Sequence, residues 1–95
     1  MEFKLFIDDV REPPDDTWVL ARNCSEAELL VDDLGMPTMM SLDHDLGDGE
    51  SVMSFLKWLV DVHYEAGPPA YVVHSANPVG RDNIVAYMES WRRSL

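Results

Sequence analysis

The feature that most constrains the fold of this chain is a recurring order of short apolar segments and longer helical patterns. Four apolar segments have the length of strands, at residues 4–7, 18–21, 38–42 and 70–73. Apolar residues with helical periodicity follow the last three of them, over residues 25–34 and 50–66 and from residue 78 onward. Strands that alternate with helices pair in parallel through right-handed crossovers. The chain is therefore predicted to be an α/β protein with an open, mostly parallel four-stranded sheet and three helices that cover both faces.

Residues typical of helix ends mark the boundaries of these helices. Ser25 with Glu28 three residues later has the spacing of a capping box, which predicts the start of the first helix. Gly67, followed by two prolines, ends the second helix, and Asn77 before Pro78 predicts the start of the third. Residues 1–95 are predicted to form a single domain, since a chain of this length has no room for a second core.

Charge is strongly acidic and unevenly distributed. The net charge is −11, and residues 1–50 hold 14 of the 18 acidic residues against three basic ones. Residues 51–95 hold four residues of each sign. Such a surface repels a nucleic-acid backbone, so binding to duplex DNA is not expected. The excess of negative charge is consistent with an acidic cation-binding pocket, a surface that mimics nucleic acid, or a solvated face that keeps a small domain soluble.

The sequence also predicts where the chain functions. It has no apolar run of the roughly 20 residues that a bilayer span needs, and no signal-peptide pattern at its start. Its single cysteine, Cys24, cannot form an internal disulfide, which is typical of a reducing compartment. We therefore expect a cytoplasmic protein that does not bind membranes.

Polar residues directly follow three of the four predicted strands. Asp8 and Asp9 follow the first, Asp43-His44-Asp45 follow the third, and His74-Ser75-Ala76-Asn77 follow the fourth. Parallel strands place their carboxyl ends at one edge of the sheet, where open α/β sheets bind ligands. We expect these clusters to converge there on one site.

The predicted cation ligands are four aspartates, Asp8, Asp9, Asp43 and Asp45. Adjacent carboxylates repel one another unless a cation or a proton relieves them. Alternation along an extended backbone would turn Asp43 and Asp45 to the same side, toward Asp8. Carboxylate oxygens suit Mg²⁺ or Mn²⁺, and a softer transition metal would fit if a histidine also ligates. The alternative is that Asp8 and Asp9 are ordinary turn residues.

The predicted catalytic residues are His44, His74 and Asp43. Two imidazoles, one giving and one taking a proton, suit the cleavage of a phosphoester. The predicted phosphate ligands are Ser75, Asn77, Arg11 and Arg81. Arginine matches phosphate oxygens with two N–H groups, although each arginine could equally be a surface residue paired with a nearby carboxylate.

Three segments are specific in combination: FIDDVREPP at residues 6–14, SLDHDLG at residues 41–47 and VHSANPVG at residues 73–80. They resemble the cyclic-phosphate-processing receiver domains, a family of small proteins common in phages and bacteria. The resemblance implies a truncated receiver-like (flavodoxin-like) fold and a role in processing cyclic phosphates of RNA ends or nucleotides. For a phage-encoded protein, the cytoplasm in question is that of the host.

Response-regulator receivers offer a rival interpretation, because they too have an acidic pair after the first strand and an aspartate after the third. They also need a lysine at the end of a later strand. The two lysines here, Lys4 and Lys57, fall inside the first predicted strand and in the second predicted helix. Phosphotransfer signalling is therefore not favoured.

Two functions from different classes stay open on the sequence. The favoured one is a metal-assisted phosphoesterase, a hydrolase of the phosphodiesterase type acting on a cyclic phosphate. The alternative is an acidic inhibitor of the phage type, a nucleic-acid mimic that occupies a basic groove on a host protein without catalysis.

Overall fold

Four parallel strands form one sheet in the computed structural model, which describes residues 2–95. The strands are β1 (Lys4–Ile7), β2 (Trp18–Ala21), β3 (Met39–Leu42) and β4 (Ala70–Val73). The helices are α1 (Cys24–Leu34), α2 (Met53–His63), which continues into a 3₁₀ turn (Tyr64–Ala66), and α3 (Pro78–Ser94). The strand order is β2-β1-β3-β4, and every neighbouring pair is parallel. The predicted fold class, an open parallel four-stranded sheet with three helices, is confirmed.

All three helices pack on one face of the sheet, so the prediction of helices on both faces was wrong. The connections through α1 and α2 both step in the same direction across the sheet, and right-handed crossovers then place both helices on the same side. The step in the other direction, from β1 to β2, is made by a proline-containing loop without a helix. The core on the covered face contains Leu5, Ile7, Met40 and Leu42 from the strands, and Ala27, Val31, Phe55, Leu56, Leu59, Ile84, Met88 and Trp91 from the helices.

The opposite face of the sheet has no helix over it among residues 2–95. Phe6 lies there in edge-to-face contact with Trp18, with ring centroids 6.0 Å apart. The ammonium group of Lys4 lies 4.4 Å from the centre of the Trp18 ring. Val72 on β4 is 45% exposed, and β4 is a half-exposed edge strand rather than the buried strand that its apolar sequence predicts.

The first helix begins with a cap other than the predicted one. Asn23 is the N-cap, and its Oδ1 accepts a hydrogen bond from the Glu26 N–H at 2.9 Å. Glu26 in turn accepts from the Arg22 N–H at 2.8 Å. Asparagine is at least as strong an N-cap as serine, and it comes two residues before Ser25 with its own acidic partner three residues on. Within the described part of the chain, no helix is both long enough and apolar enough to cross a bilayer.

Candidate functional site

Three carboxylates meet between the carboxyl ends of β1 and β3. Asp8, Asp9 and Asp43 each place a carboxylate oxygen within 4.8 Å of those of the other two. Ile7 lies opposite Leu42 in the sheet, and the Asp43 N–H donates to the Ile7 carbonyl at 3.0 Å, which holds the two strand ends together. The chain leaves β1 toward one edge of the sheet and β3 toward the other, so this is the switch point at which such sheets bind ligands.

The surroundings of Asp8 and Asp43 shift their acidities in opposite directions. Asp8 is only 1% exposed, and burial opposes its charge. Hydrogen bonds from the N–H groups of Arg11 (2.8 Å) and Val10 (2.9 Å) and from His74 nevertheless hold the pKa of Asp8 below its usual value. Burial, and then the negative charge of Asp8, raise the pKa of Asp43. Asp43 is thus a carboxylate whose charge is opposed by its neighbours, and a divalent cation would relieve that repulsion.

Asp45, the fourth predicted cation ligand, lies outside this cluster. The backbone bends at His44 and then forms an isolated antiparallel bridge between Asp45 and Ser51, so the extended alternation expected of Asp43 and Asp45 does not continue. The two Asp45 oxygens are instead hydrogen-bonded to His44 Nδ1 (2.9 Å) and Asn77 Nδ2 (3.1 Å). The three remaining carboxylates offer only hard oxygen donors, a set that fits Mg²⁺ or Mn²⁺.

His74 is held on both ring nitrogens and on one ring face. Its Nε2 lies 2.9 Å from Asp8 Oδ2, and its Nδ1 lies 2.8 Å from the hydroxyl of Ser41. Its ring stacks on Phe6, with centroids 4.6 Å apart and planes 10° from parallel. The sequence-based prediction missed Ser41. The signal was present, because a hydroxyl inside the apolar strand Met39–Leu42 must find a partner when it is buried.

His44 has a different environment, in which one ring nitrogen has no partner. Its Nδ1 bonds to Asp45, while its Nε2 has no hydrogen-bond partner within residues 2–95. Asn77, the N-cap of α3, accepts from the Gly80 N–H at 3.1 Å and donates its amide N–H to Asp45 at 3.1 Å. Asn77, Asp45 and His44 therefore form a hydrogen-bonded chain that orients the His44 ring.

The predicted phosphate ligands surround the backbone that follows β4. Arg11 donates to the carbonyl of His74 at 3.1 Å, and Arg81 donates to the carbonyls of Val73 (3.3 Å) and Ser75 (3.4 Å). The buried Ser75 hydroxyl accepts from the Asn77 N–H at 3.1 Å. Neither arginine forms an ion pair with a carboxylate among the described residues, unlike the surface pairing considered for them. Their role as phosphate ligands stays a prediction.

Arg22 is a second residue at this edge that the sequence-based prediction missed. It donates to the carbonyls of Asp8 (3.3 Å) and Arg11 (2.8 Å) and forms an ion pair with Glu12 at 2.8 Å. These bonds brace the loop that carries the acidic pair. Its position, directly after β2 at the same edge as Asp8, was the available signal.

The loop after β3 closes over Asp9. Gly47 has a φ of +80°, and a Cβ at that position would lie 3.1 Å from Asp9 Oδ2. Asp48 and Gly49 also have positive φ angles, which no α-helix tolerates, and Ser51 pairs with Asp45 in an antiparallel bridge. For this reason α2 begins at Met53 and not at about Glu50 as predicted. The Glu50 side chain instead accepts from the Cys24 N–H at 2.9 Å and ties this loop to the start of α1.

A parallel sheet of this strand order, with an acidic pair after β1 and an aspartate after β3, defines a truncated receiver-like domain that has four strands. The chain belongs to the cyclic-phosphate processing receiver domain family, whose family model matches residues 3–90. This match confirms the resemblance seen in the sequence and links the chain to cyclic-phosphate processing. No curated protein and no solved structure matches the chain.

Proposed function

We propose that this protein is a metal-assisted phosphoesterase that opens a cyclic phosphate at an RNA end or in a nucleotide. The observation that carries the proposal is the meeting of three carboxylates and a hydrogen-bonded histidine at the switch point of the sheet, in a family linked to cyclic-phosphate processing. The proposed setting is the cytoplasm, or the host cytoplasm for a phage-encoded protein, in keeping with the single free Cys24.

Asp8, Asp9 and Asp43 would hold the divalent cation, with Mg²⁺ or Mn²⁺ as the proposed metal. When bound, the cation supplies the positive charge that an anionic phosphate needs to approach an edge so rich in carboxylates. Burial and the neighbouring charge of Asp8 raise the pKa of Asp43, so its ionised form is disfavoured. A bound cation would stabilise that ionised form. Asp45 serves instead to orient His44.

The two histidines have different proposed roles. His44 carries the proton, because Asp45 holds its Nδ1 and leaves Nε2 able to exchange a proton with the substrate. His74 was predicted as the partner acid or base, but Ser41 and Asp8 occupy both of its ring nitrogens. We therefore assign His74 to holding Asp8 in place and His44 to proton transfer.

The proposed phosphate ligands are Arg11, Arg81, Ser75 and Asn77. Arg11 and Arg81 use one nitrogen each on backbone carbonyls, which leaves the other guanidinium N–H groups for phosphate oxygens. The Ser75 hydroxyl accepts one hydrogen bond and keeps its own hydrogen for donation. Together these groups would bind the phosphate beside the carboxylates.

The experiment that tests the function is hydrolysis of a 2′,3′-cyclic nucleotide with and without Mg²⁺ or Mn²⁺. His44→Ala is expected to lower kcat by about 10²–10⁴-fold, the usual contribution of a general acid or base. His63→Ala is the matched control, because His63 lies on α2 and contacts Trp58 away from the acidic edge. If the wild-type protein hydrolyses no cyclic phosphate, with or without metal, the enzyme is excluded and the acidic inhibitor is favoured.

A further inference from the structure

A buried hydroxyl lies behind the carboxylates of the proposed site. Ser41 is the third residue of β3, and its neighbours Met40 and Leu42 point into the core. Since side chains alternate along a strand, Ser41 points to the face without helices. It is only 5% exposed, and its hydroxyl bonds to His74 Nδ1 at 2.8 Å.

Ser41, His74 and Asp8 form a continuous chain of hydrogen bonds. The chain runs from the Ser41 hydroxyl to His74 Nδ1, and from His74 Nε2 to Asp8 Oδ2 at 2.9 Å. The three residues come from β3, from the segment after β4 and from the segment after β1, so the chain crosses three parts of the sheet edge. Phe6 packs flat on the His74 ring and removes its remaining freedom to tilt.

The chemistry of the three groups fixes the direction of each bond when the His74 ring is neutral. An ionised carboxylate can only accept, so the His74 Nε2 must carry a hydrogen and donate it to Asp8. The Nδ1 of a neutral imidazole is then an acceptor, and the Ser41 O–H is the donor that fills it. A hydroxyl at position 41 therefore favours the ring tautomer and the ring angle that serve Asp8.

We propose that Ser41 is a positioning residue of the phosphate site, acting through His74 to orient the Asp8 carboxylate toward Asp9 and Asp43. Asp8 Oδ1 already accepts two backbone N–H groups, from Val10 and Arg11, so His74 controls the other oxygen. The consequence for cation binding rests on the proposed function, whereas the consequence for the His74 ring does not. Partners that orient a ligand in this way usually contribute about 10–100-fold to metal affinity or activity.

The test compares Ser41→Ala with Ser41→Thr, which keeps the hydroxyl. Thr38→Val is the matched control, because Thr38 directly precedes the opposite end of the same strand and donates its hydroxyl to the Phe3 carbonyl. The first measurement is the NMR spectrum of the imidazole nitrogens. In the wild type, His74 is expected to carry its hydrogen on Nε2, and S41A is expected to speed exchange of that hydrogen with water about 5-fold, the factor given by one ordinary hydrogen bond. S41T and T38V are expected to match the wild type.

The second measurement is a titration with Mn²⁺ alone. S41A is expected to weaken Mn²⁺ binding by about 10–100-fold, and S41T by much less. If S41A does not fold, Ser41→Cys, which keeps the shape but donates weakly, replaces it with the same expected direction.

Three results separate this inference from the proposed function. A wild-type His74 that carries a hydrogen on Nδ1, with or without a second one on Nε2, overturns the positioning role. So does an S41A variant whose imidazole spectrum and Mn²⁺ affinity equal those of the wild type. A wild-type protein that binds no Mn²⁺ contradicts the proposed metal dependence, while the imidazole spectrum still decides the role of Ser41.

Discussion

His44 lies against Gly80, where the first turn of α3 passes the acidic edge. A Cβ at Gly80 would lie 2.4 Å from His44 Cγ and 2.7 Å from its Nδ1, closer than non-bonded atoms approach. The Gly80 N–H also donates to the cap residue Asn77, so the helix end cannot move away without losing its cap. Because Gly80 has no side chain, the His44 ring can pack against the first turn of α3.

We predict that Gly80→Ala displaces His44 and lowers turnover of a cyclic nucleotide. Alanine within a helix normally stabilises by about 1 kcal/mol relative to glycine, but here the clash is expected to cancel that gain or reverse it. Measured kcat and Tm test this, with Ser90→Ala on the exposed side of α3 as the control. A G80A protein that is more stable and fully active would show that His44 is not confined.

Cys24 supplies a pH-dependent test of the packing at the start of α1. Burial, as the main cause, raises the pKa of its thiol from 9.0 to about 11. The unfolded chain then loses the thiol proton near pH 9, while the folded chain keeps it until about pH 11. Unfolding is therefore favoured increasingly across this window, and the free energy of unfolding should fall.

We predict that Cys24→Ala makes the free energy of unfolding less dependent on pH between 9 and 11 than in the wild type. Denaturant titrations at a series of pH values measure the difference between the two proteins. Below pH 9 the two curves should run parallel. A wild-type curve parallel to that of C24A throughout would mean that the folded thiol ionises like an ordinary one.

The strands and helices followed from local patterns, whereas their arrangement required the order of the strands. Apolar runs predicted β1, β2 and β4 with their bounds as observed, and β3 with one residue too many at its start. The one-sided packing follows from the missing helix between β1 and β2, together with the handedness of the crossovers. The exposure of β4 was missed because an apolar edge strand and an apolar central strand have the same composition.

The residues of the candidate site likewise fall into those that the sequence predicted and those that it did not. Asp8, Asp9 and Asp43 come together because parallel strands bring their carboxyl ends to one edge, a rule that needs only the order of strands and helices along the chain. Asp45 was wrongly predicted to point toward Asp8, because side chains alternate only as far as the strand extends. The backbone bends at His44, and the sequence did not predict the conformation of that loop. Ser41 and Arg22 each gave a local signal, but their partners lie far apart in the chain, so no local pattern identified the contacts that they make.

We predict that the β1–β3 switch point makes the stability of the fold depend on divalent cations. A ligand that binds only the folded state stabilises it, by about 2.7 kcal/mol at a concentration 100 times its Kd. Melting curves of the wild type should therefore shift upward with Mn²⁺. Asp43→Asn removes the repelled carboxylate, so it is expected to raise the Tm of the metal-free protein and to abolish the response to Mn²⁺.

Asp61→Asn, an exposed change on α2, is the control for loss of charge alone and should keep the full response. If D43N responds to Mn²⁺ as strongly as the wild type, the carboxylate cluster is not where the cation binds.

The two halves of the chain differ strongly in net charge. Residues 51–95 are balanced, so the net charge of −11 belongs entirely to residues 1–50. Part of that charge converges on the proposed site, and part lies on exposed residues away from it, Asp15, Asp16, Asp32 and Asp33. The enzyme and the inhibitor interpretations predict opposite effects of these exposed aspartates on binding. Their charge would repel an anionic substrate, whereas it would attract a basic groove on a partner protein.

We predict that replacing these four exposed aspartates with asparagine leaves kcat unchanged and lowers KM for an anionic cyclic nucleotide at low salt. These aspartates lie away from the site, so their field reaches the substrate at about 0.01 M salt, where charges act over roughly 30 Å, and is screened within roughly 8–10 Å at physiological ionic strength. Added salt should lower the KM of the wild type in the same direction and should have less effect on the quadruple variant. An acidic inhibitor requires the reverse: binding to its basic target would weaken in the variant and fall steeply with salt. The inhibitor would be favoured by two results together: the wild type hydrolyses no cyclic phosphate, and the quadruple variant loses salt-sensitive binding to a protein partner.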